Sequence, residues 1–168
     1  SNFHSFIKNW RKMTPNIYGY EYDPIPWTAG LFCPTYLEIT KSLKYQMEGL
    51  GIKGIWSDGS AHLRPEINAG TFINAYMARR IKVDPTQSPE KLLDEMCDVF
   101  FGPAAEPMKK FYRDMSNGAL KAGHPGTSHI LFGTTFFPEL FTPAMISNAR
   151  TQLEQALNLS RGKAPYAE

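Results

Sequence analysis

Residues 47–85 read MEGLGIKGIWSDGSAHLRPEINAGTFINAYMARRIKVDP, and their order decides the fold class. Gly49 and Gly51 mark a helix end. Ile52-Lys53-Gly54-Ile55-Trp56-Ser57-Asp58 is a short strand-like run, Asp58-Gly59-Ser60 an acidic turn, and a second helical pattern opens near Thr71. Helix, strand, loop, helix is the order of an α/β unit. Side chains alternate along a strand, which predicts Ile52, Gly54, Trp56 and Asp58 on one face and Lys53, Ile55 and Ser57 on the other. An indole and a carboxylate then meet where the strand yields to its loop, the end at which α/β folds bind ligands. The competing reading is a core Trp followed by an Asp-Gly turn whose carboxylate bonds its own backbone.

Working upstream, the spacing predicts a second strand over Asn16–Asp23. Tyr18, Tyr20 and Tyr22 share one face, and Ile17, Gly19, Glu21 and Asp23 the other. Pro24 and Pro26 end it, because proline cannot continue the ladder. Tyr20, Glu21, Asp23 and nearby Trp27 are candidates for the rim of a pocket, since rings stack on sugar faces and carboxylates bind hydroxyls. The alternative is an edge strand with a tyrosine stripe in the core. Basic residues 10–14 lead into this strand. Between the two strands a helix is predicted from Pro34 to Gly49, with Ile39, Leu43, Met47 and Leu50 on one stripe.

Working downstream, Phe72, Ile73, Tyr76, Met77 and Ile81 face inward on the helix after Thr71, with Asn74, Arg79 and Arg80 on other faces. Ser88-Pro89-Glu90 carries an N-cap hydroxyl, a first-turn proline and an acid beside the helix dipole. Leu92, Leu93, Met96, Cys97, Phe100 and Phe101 are its predicted buried face. Pro107 requires the next helix to begin near Ala104 or Ala105, with Met108, Phe111, Tyr112, Met115 and Ala119 inward. Gly123–Thr135 reads as loop. Thr142-Pro143 caps a last helix through Leu159, with Ile146, Ala149, Leu153, Ala156 and Leu157 on its buried side.

A chain of 168 residues suits one domain or one with a small appendage. Net charge is +2, with 18 basic and 16 acidic side chains and no basic block, which argues against a nucleic-acid partner. No apolar run reaches the roughly 18 residues of a membrane span. Cys33 and Cys97 lack a CxxC context and read either as two buried thiols or as one disulfide. His4, His62, His124 and His129 show no ligand spacing, so no metal site is expected; no cofactor is expected either. Two strands alone leave both sheet edges unpaired, which points to a piece of a larger sheet.

Several segments carry a resemblance. They are Gly51-Ile52-Lys53-Gly54-Ile55-Trp56-Ser57-Asp58-Gly59-Ser60, Ile73-Asn74-Ala75-Tyr76-Met77-Ala78-Arg79-Arg80 with Asp84-Pro85, Phe100-Phe101-Gly102-Pro103-Ala104-Ala105-Glu106-Pro107-Met108 with Phe111-Tyr112, and Leu140-Phe141-Thr142-Pro143. Together they resemble domain-of-unknown-function family 4838, which is similar to glycoside hydrolase family 163.

That resemblance implies the last strand-helix units of a (β/α)8 (TIM-like) barrel over residues 1–85, then an α-helical C-terminal region over residues 86–168 packed against it. It implies an exported bacterial parent acting on N-acetylglucosamine-containing glycans as an endo-β-N-acetylglucosaminidase. The missing strands would come from the rest of the parent or from a neighbouring chain, and the acid/base pair would lie upstream, leaving this portion alone inactive. Where the family pattern usually has Glu, this chain has Asp58, one methylene shorter. Glu21 and Asp58 are the candidate catalytic carboxylates. Tyr20, Glu21, Asp23, Trp27, Trp56 and Asp58 are the candidate sugar-binding set. Two other classes stay open, a non-catalytic carbohydrate-binding domain and a helical interaction module.

Overall fold

The computed structural model describes residues 2–22, 35–58, 65–122 and 137–166. In chain order the elements are α1 (Asn2–Met13), β1 (Tyr18–Tyr22), α2 (Tyr36–Lys44), β2 (Gly54–Asp58), α3 (Pro65–Val83), α4 (Pro89–Phe101), α5 (Ala105–Ala122), α6 (Phe137–Leu140) and α7 (Pro143–Ser160). The chain is mostly helical, with one small parallel sheet. Two compact units divide it. The first holds Ser1–Phe32 and Glu38–Gln87, the second Cys33–Leu37 and Ser88–Glu168.

In the first unit β1 and β2 pair in parallel, with Tyr18 opposite Gly54, Tyr20 opposite Trp56 and Tyr22 opposite Asp58. Ile7, Leu50 and Ile52 form a buried cluster against which Ile17 and Ile55 pack. Ile52 was expected beside Trp56, yet it sits with Ile55. The strand begins only at Gly54, and a bend at Lys53 interrupts the alternation. Gly19 lies over the same cluster, since a Cβ there would come within 3.3 Å of Ile55 Cγ1.

The end of α2 widens into a π-helical turn over Tyr45–Gly49, closed by the Leu50 amide donating to the Tyr45 carbonyl at 2.9 Å. The sequence-predicted stop at Gly51 is where the chain turns, at φ +67°, a left-handed conformation that glycine adopts without cost. Arg11 fills the space beside it and donates from Nη1 to the Leu50 carbonyl at 3.1 Å.

Two expectations are corrected at helix starts. Residues 10–14, expected as a basic lead-in to the first strand, instead fall at the end of α1, which covers Asn2–Met13. Its apolar residues Phe3, Phe6, Ile7, Trp10 and Met13 follow helical spacing, a period overlooked beside the basic residues. α3 begins at Pro65, six residues before Thr71, because proline is well placed in a first turn and Gly70 does not break the helix. Along α3, Ile73, Met77 and Ile81 are buried as expected, but so is Asn74, while Phe72 is exposed.

In the second unit α5 packs against both α4 and α7. Ser88 caps α4 by accepting from the Lys91 amide, and Thr142 caps α7 by accepting from the Met145 amide at 3.2 Å. Gly102–Ala104 forms a 3₁₀ turn, so α5 starts at Ala105 and places Pro107 in its first turn, where its missing N–H costs nothing. Met108, Phe111, Tyr112, Met115 and Ala119 are all buried.

α4 buries Leu92, Leu93, Met96 and Cys97 but leaves Phe100 exposed. The face of α7 differs most from expectation: Ile146, Leu153 and Leu157 are exposed, while Ala156 is buried as expected and Gln152 and Ser160 are buried with it. Gln152 Nε2 reaches Asp114 Oδ2 at 2.6 Å and Asn148 Nδ2 reaches the same oxygen at 3.0 Å. A polar seam, rather than the leucine stripe, orients this helix. The segments 123–135, 59–64 and 23–34, with Cys33, Leu31 and Phe32, lie outside the described residues; Tyr36 is fully buried.

Candidate functional site

The face of the sheet opposite the Ile7 cluster carries the candidate site. Alternation and register bring Tyr18, Tyr20 and Trp56 together there, at 71, 52 and 65 % exposure. Tyr20 and Trp56 are direct cross-strand partners, with ring centroids 4.9 Å apart and planes tilted by 31°. Such offset pairs are worth roughly 0.5–1.5 kcal/mol beyond their buried area. Gly54 makes room for this arrangement. A Cβ there would stand 3.3 Å from Tyr18 Cδ1, so the glycine lets the tyrosine ring lie along the strand beside it. In residues 1–168 the Trp56 ring is therefore exposed and faces away from the Ile7 cluster. The three exposed rings make this face aromatic, with hydroxyls from the two tyrosines.

The sequence-predicted acids relate to this face through the backbone. Tyr22 and Asp58 pair at the C-terminal ends of the two strands, and Glu21 pairs with Ser57 one step earlier. The side chains of Glu21 and Asp58, and the whole of Asp23 and Trp27, lie outside the described residues. The structure thus brings Tyr20 and Trp56 together and sets Asp58 at the end of their face by backbone register, while Glu21, between Tyr20 and Tyr22, holds the alternate register of Gly19.

Of the two arginines of α3, Arg80 is engaged within its own unit. Arg79 is exposed, and Arg80 donates from Nη1 to Tyr76 Oη at 2.8 Å and from Nη2 to Gln87 Oε1 at 2.9 Å. Among the described residues no group of three or more His, Cys, Asp or Glu could hold a metal ion. No helix is long and apolar enough to cross a membrane.

The second unit holds a feature that sequence reasoning missed. A groove of about 620 Å3 is lined by Glu106, Lys110, Arg113, Gln155 and Asn158 above Pro107 and Leu159. Its signal was available, since Glu106, Lys110 and Arg113 recur at four and three residues as one polar stripe. Two of these residues are already committed. Glu106 pairs with Lys109 at 2.9 Å, and Arg113 donates to Glu90 Oε2 at 2.8 Å. Lys109 also meets Asp98 at 2.9 Å and Asp94 at 3.7 Å, and hydrogen bonds to Asp98 and Glu106 hold its ammonium pKa above the ordinary lysine value. This cluster ties α4 to α5 and offers no unpaired carboxylate for proton transfer.

A family model described as Domain of unknown function (DUF4838) matches residues 1–114. The chain belongs to this DUF4838 family. Comparison with curated proteins and with solved structures yields no match. The DUF4838 match spans α1 through most of α5 and so contains the whole ring face. The groove lies partly beyond it, as Gln155 and Asn158 follow the matched residues.

Proposed function

We propose that this DUF4838 chain forms one wall of a carbohydrate site in a bacterial glycoside hydrolase. The observation that carries the reading is the exposed Tyr20–Trp56 pair, set two residues before the C-terminal ends of two parallel strands. The apolar faces of pyranose rings stack on such surfaces, and acids at the strand ends are suited to bind the hydroxyls around them. Asp58 stands at such an end in the alternation of Trp56, Glu21 alternates with Tyr20 and Tyr22 one step earlier on β1, and Asp23 and Trp27 follow within five residues of Tyr22.

The resemblance to glycoside hydrolase family 163 makes N-acetylglucosamine-containing glycans the substrate class, an endo-β-N-acetylglucosaminidase the activity, and an exported protein the setting. In this reading β1 and β2 are late strands of a (β/α)8 barrel. A parallel sheet is normally covered on both faces and continued at its edges, so two strands with an open aromatic face suit a portion of such a barrel. Substrate-assisted cleavage, in which the sugar's own acetamido group attacks, would leave the protein one acid to supply. Glu21 and Asp58 are the candidates in this portion for substrate contact, with the principal acid/base residue on another part of the barrel.

Titration of the chain with N-acetylglucosamine oligomers and a released N-glycan, followed by tryptophan fluorescence, tests the reading. Saturable binding is expected, weakened several-fold in Trp56→Ala and in Tyr20→Ala, in line with roughly 1 kcal/mol per stacking partner. Binding that is unchanged in both variants would remove the ring face from the site. Binding without turnover in the full gene product would instead favour a non-catalytic carbohydrate-binding domain.

A further inference from the structure

Helix α7 carries an apolar stripe that covers nothing, alongside the face by which it is held. It packs on α5, with Gln152, Ala156 and Ser160 buried and Gln152 bonded to Asp114. Ile146, Leu153 and Leu157 are instead 47, 43 and 61 % exposed. Leu153 and Leu157 each follow a buried residue by one position, about 100° of helical turn. The stripe therefore runs roughly a quarter turn from the held face. Together with Arg150 it reads Ile146, Arg150, Leu153, Leu157, at steps of four, three and four. That is the spacing of a coiled-coil seam. Single exposed leucines are ordinary on a protein surface, whereas apolar residues aligned on one seam mark an interaction site.

Two charges say what fits there. Arg150 lies within the stripe and Glu154 on its border, and both are exposed. Although they stand four residues apart on one helix, they form no ion pair with each other, and among the described residues neither has another partner. The order four, three, four is the same read from either end. A second α7 laid antiparallel therefore sets Ile146 against Leu157 of the second copy and Arg150 against Leu153 of the second copy, and the two-fold axis repeats each contact. In an antiparallel pair like flanks meet, so the Glu154 border of one helix lies beside that of the other. The Arg150 stem then crosses Leu153 of the second copy, and its guanidinium reaches Glu154 of the second copy one position on. Parallel pairing would set Arg150 against itself. A polar residue at a seam position fixes register and orientation in this way.

We propose that the Ile146-Arg150-Leu153-Leu157 stripe of α7 is a self-association surface, on which a second copy of this chain docks through its own α7, antiparallel about a two-fold axis, with Arg150 of each copy paired to Glu154 of the other. This occupant covers the apolar stripe and satisfies both charges at once. A lipid surface does neither, because helices that lie on membranes are rich in Lys and Arg along their polar face, whereas α7 carries Arg150 alone and Glu154 beside it. The contact is small, at the transient end of interface sizes below roughly 1,200 Å2 in total, so the dimer is weak and depends on concentration. It uses no residue of the carbohydrate reading, all of which belong to the other unit.

Sedimentation velocity of the 168-residue chain tests this. The 19.0 kDa monomer is expected at about 5 µM and a monomer–dimer equilibrium by about 500 µM. Leu157→Ser is expected to weaken dimerisation at least about tenfold, while its urea unfolding at about 5 µM, where the chain is monomeric, stays close to that of the unaltered chain. Arg150→Glu and Glu154→Arg each set like charges opposite one another at both symmetry-related positions, and each is expected to weaken the dimer at least about fivefold. The double variant Arg150→Glu/Glu154→Arg inverts the pair and is expected to restore dimerisation to within about twofold. Trp10→Ser and Trp56→Ser alter the other exposed aromatic surfaces and are expected to leave it unchanged. A chain that stays monomeric at about 500 µM overturns the proposal. So does association that survives both single charge reversals, is not recovered in the double variant, or is abolished by either tryptophan substitution.

Discussion

Cys97 shows how burial sets chemistry at a single residue. It is a free thiol in the buried face of α4, and loss of solvent pushes its pKa from the ordinary 9.0 up to about 12, only partly opposed by Lys109. Of the two readings of the cysteines, Cys97 follows that of a buried thiol, chemically quiet at neutral pH. The linkage has a definite sign. Because the folded pKa is raised, the contribution to stability is complete below pH 9, and it is lost as pH climbs toward 12. Iodoacetamide is therefore expected to leave Cys97 unmodified at pH 8.5 in native protein and to label it quickly in urea, as peptide mass spectrometry would show.

Asp84 is the opposite case. The Thr86 hydroxyl donates to its Oδ1 at 2.6 Å and the Thr86 amide at 2.9 Å, which lowers the carboxyl below its ordinary 3.8. Its contribution is present above that value and fades as pH falls through the lowered one. Thr86→Val is expected to move the Asp84 titration back toward 3.8 in an NMR pH series, with little change at neutral pH.

At the level of elements, the ends of helices carry the sharpest predictions. Thr142→Ala removes the acceptor for the Met145 amide and is expected to cost about 1 kcal/mol in urea unfolding. Gly51→Ala forces an L side chain into φ +67°, and its Cβ would stand 2.5 Å from the Arg11 guanidinium. The conformation alone costs about 1–2 kcal/mol, and displacing Arg11 adds the loss of its bond to Leu50. α7 supplies the contrast. Leu157→Ser, on its exposed side, is expected to change stability by no more than about 0.5 kcal/mol. Ala156→Leu, one position away and buried, is expected to cost roughly 1–3 kcal/mol through overpacking. A melting series of the two variants would check which side of α7 is the core side.

For the whole chain, the two units should differ in local stability. α4 and α5 bury long apolar stripes against neighbouring helices, while β1 and β2 form a sheet of two strands with an exposed ring face. In the isolated 168-residue chain, amides of β1 and β2 are expected to exchange at least tenfold faster than those of Leu92–Cys97 and Phe111–Met115. Equal protection would mean that the sheet is braced by contacts beyond those of its two strands.

Local signals in the sequence were sufficient for both strands, the Gly51 turn, the Ser88 and Thr142 caps, the displaced start of α5 and its buried stripe. Each depends on chemistry within a few residues: alternation, a left-handed glycine, a hydroxyl three positions before an orphan amide, a proline that can only stand in a first turn. What tertiary structure alone decided was which of two similar faces turned inward. Leu153 and Gln152 are neighbours on α7, and hydrophobicity favours burying the leucine; the carboxylate of Asp114 on α5 draws Gln152 inward instead. Trp56 has the apolar bulk of a core residue, yet among the described residues it is exposed, because the Ile7–Leu50–Ile52 cluster occupies the opposite side of the sheet. Periodicity specifies that a face exists, and only the position of its neighbours in space determines whether that face is buried.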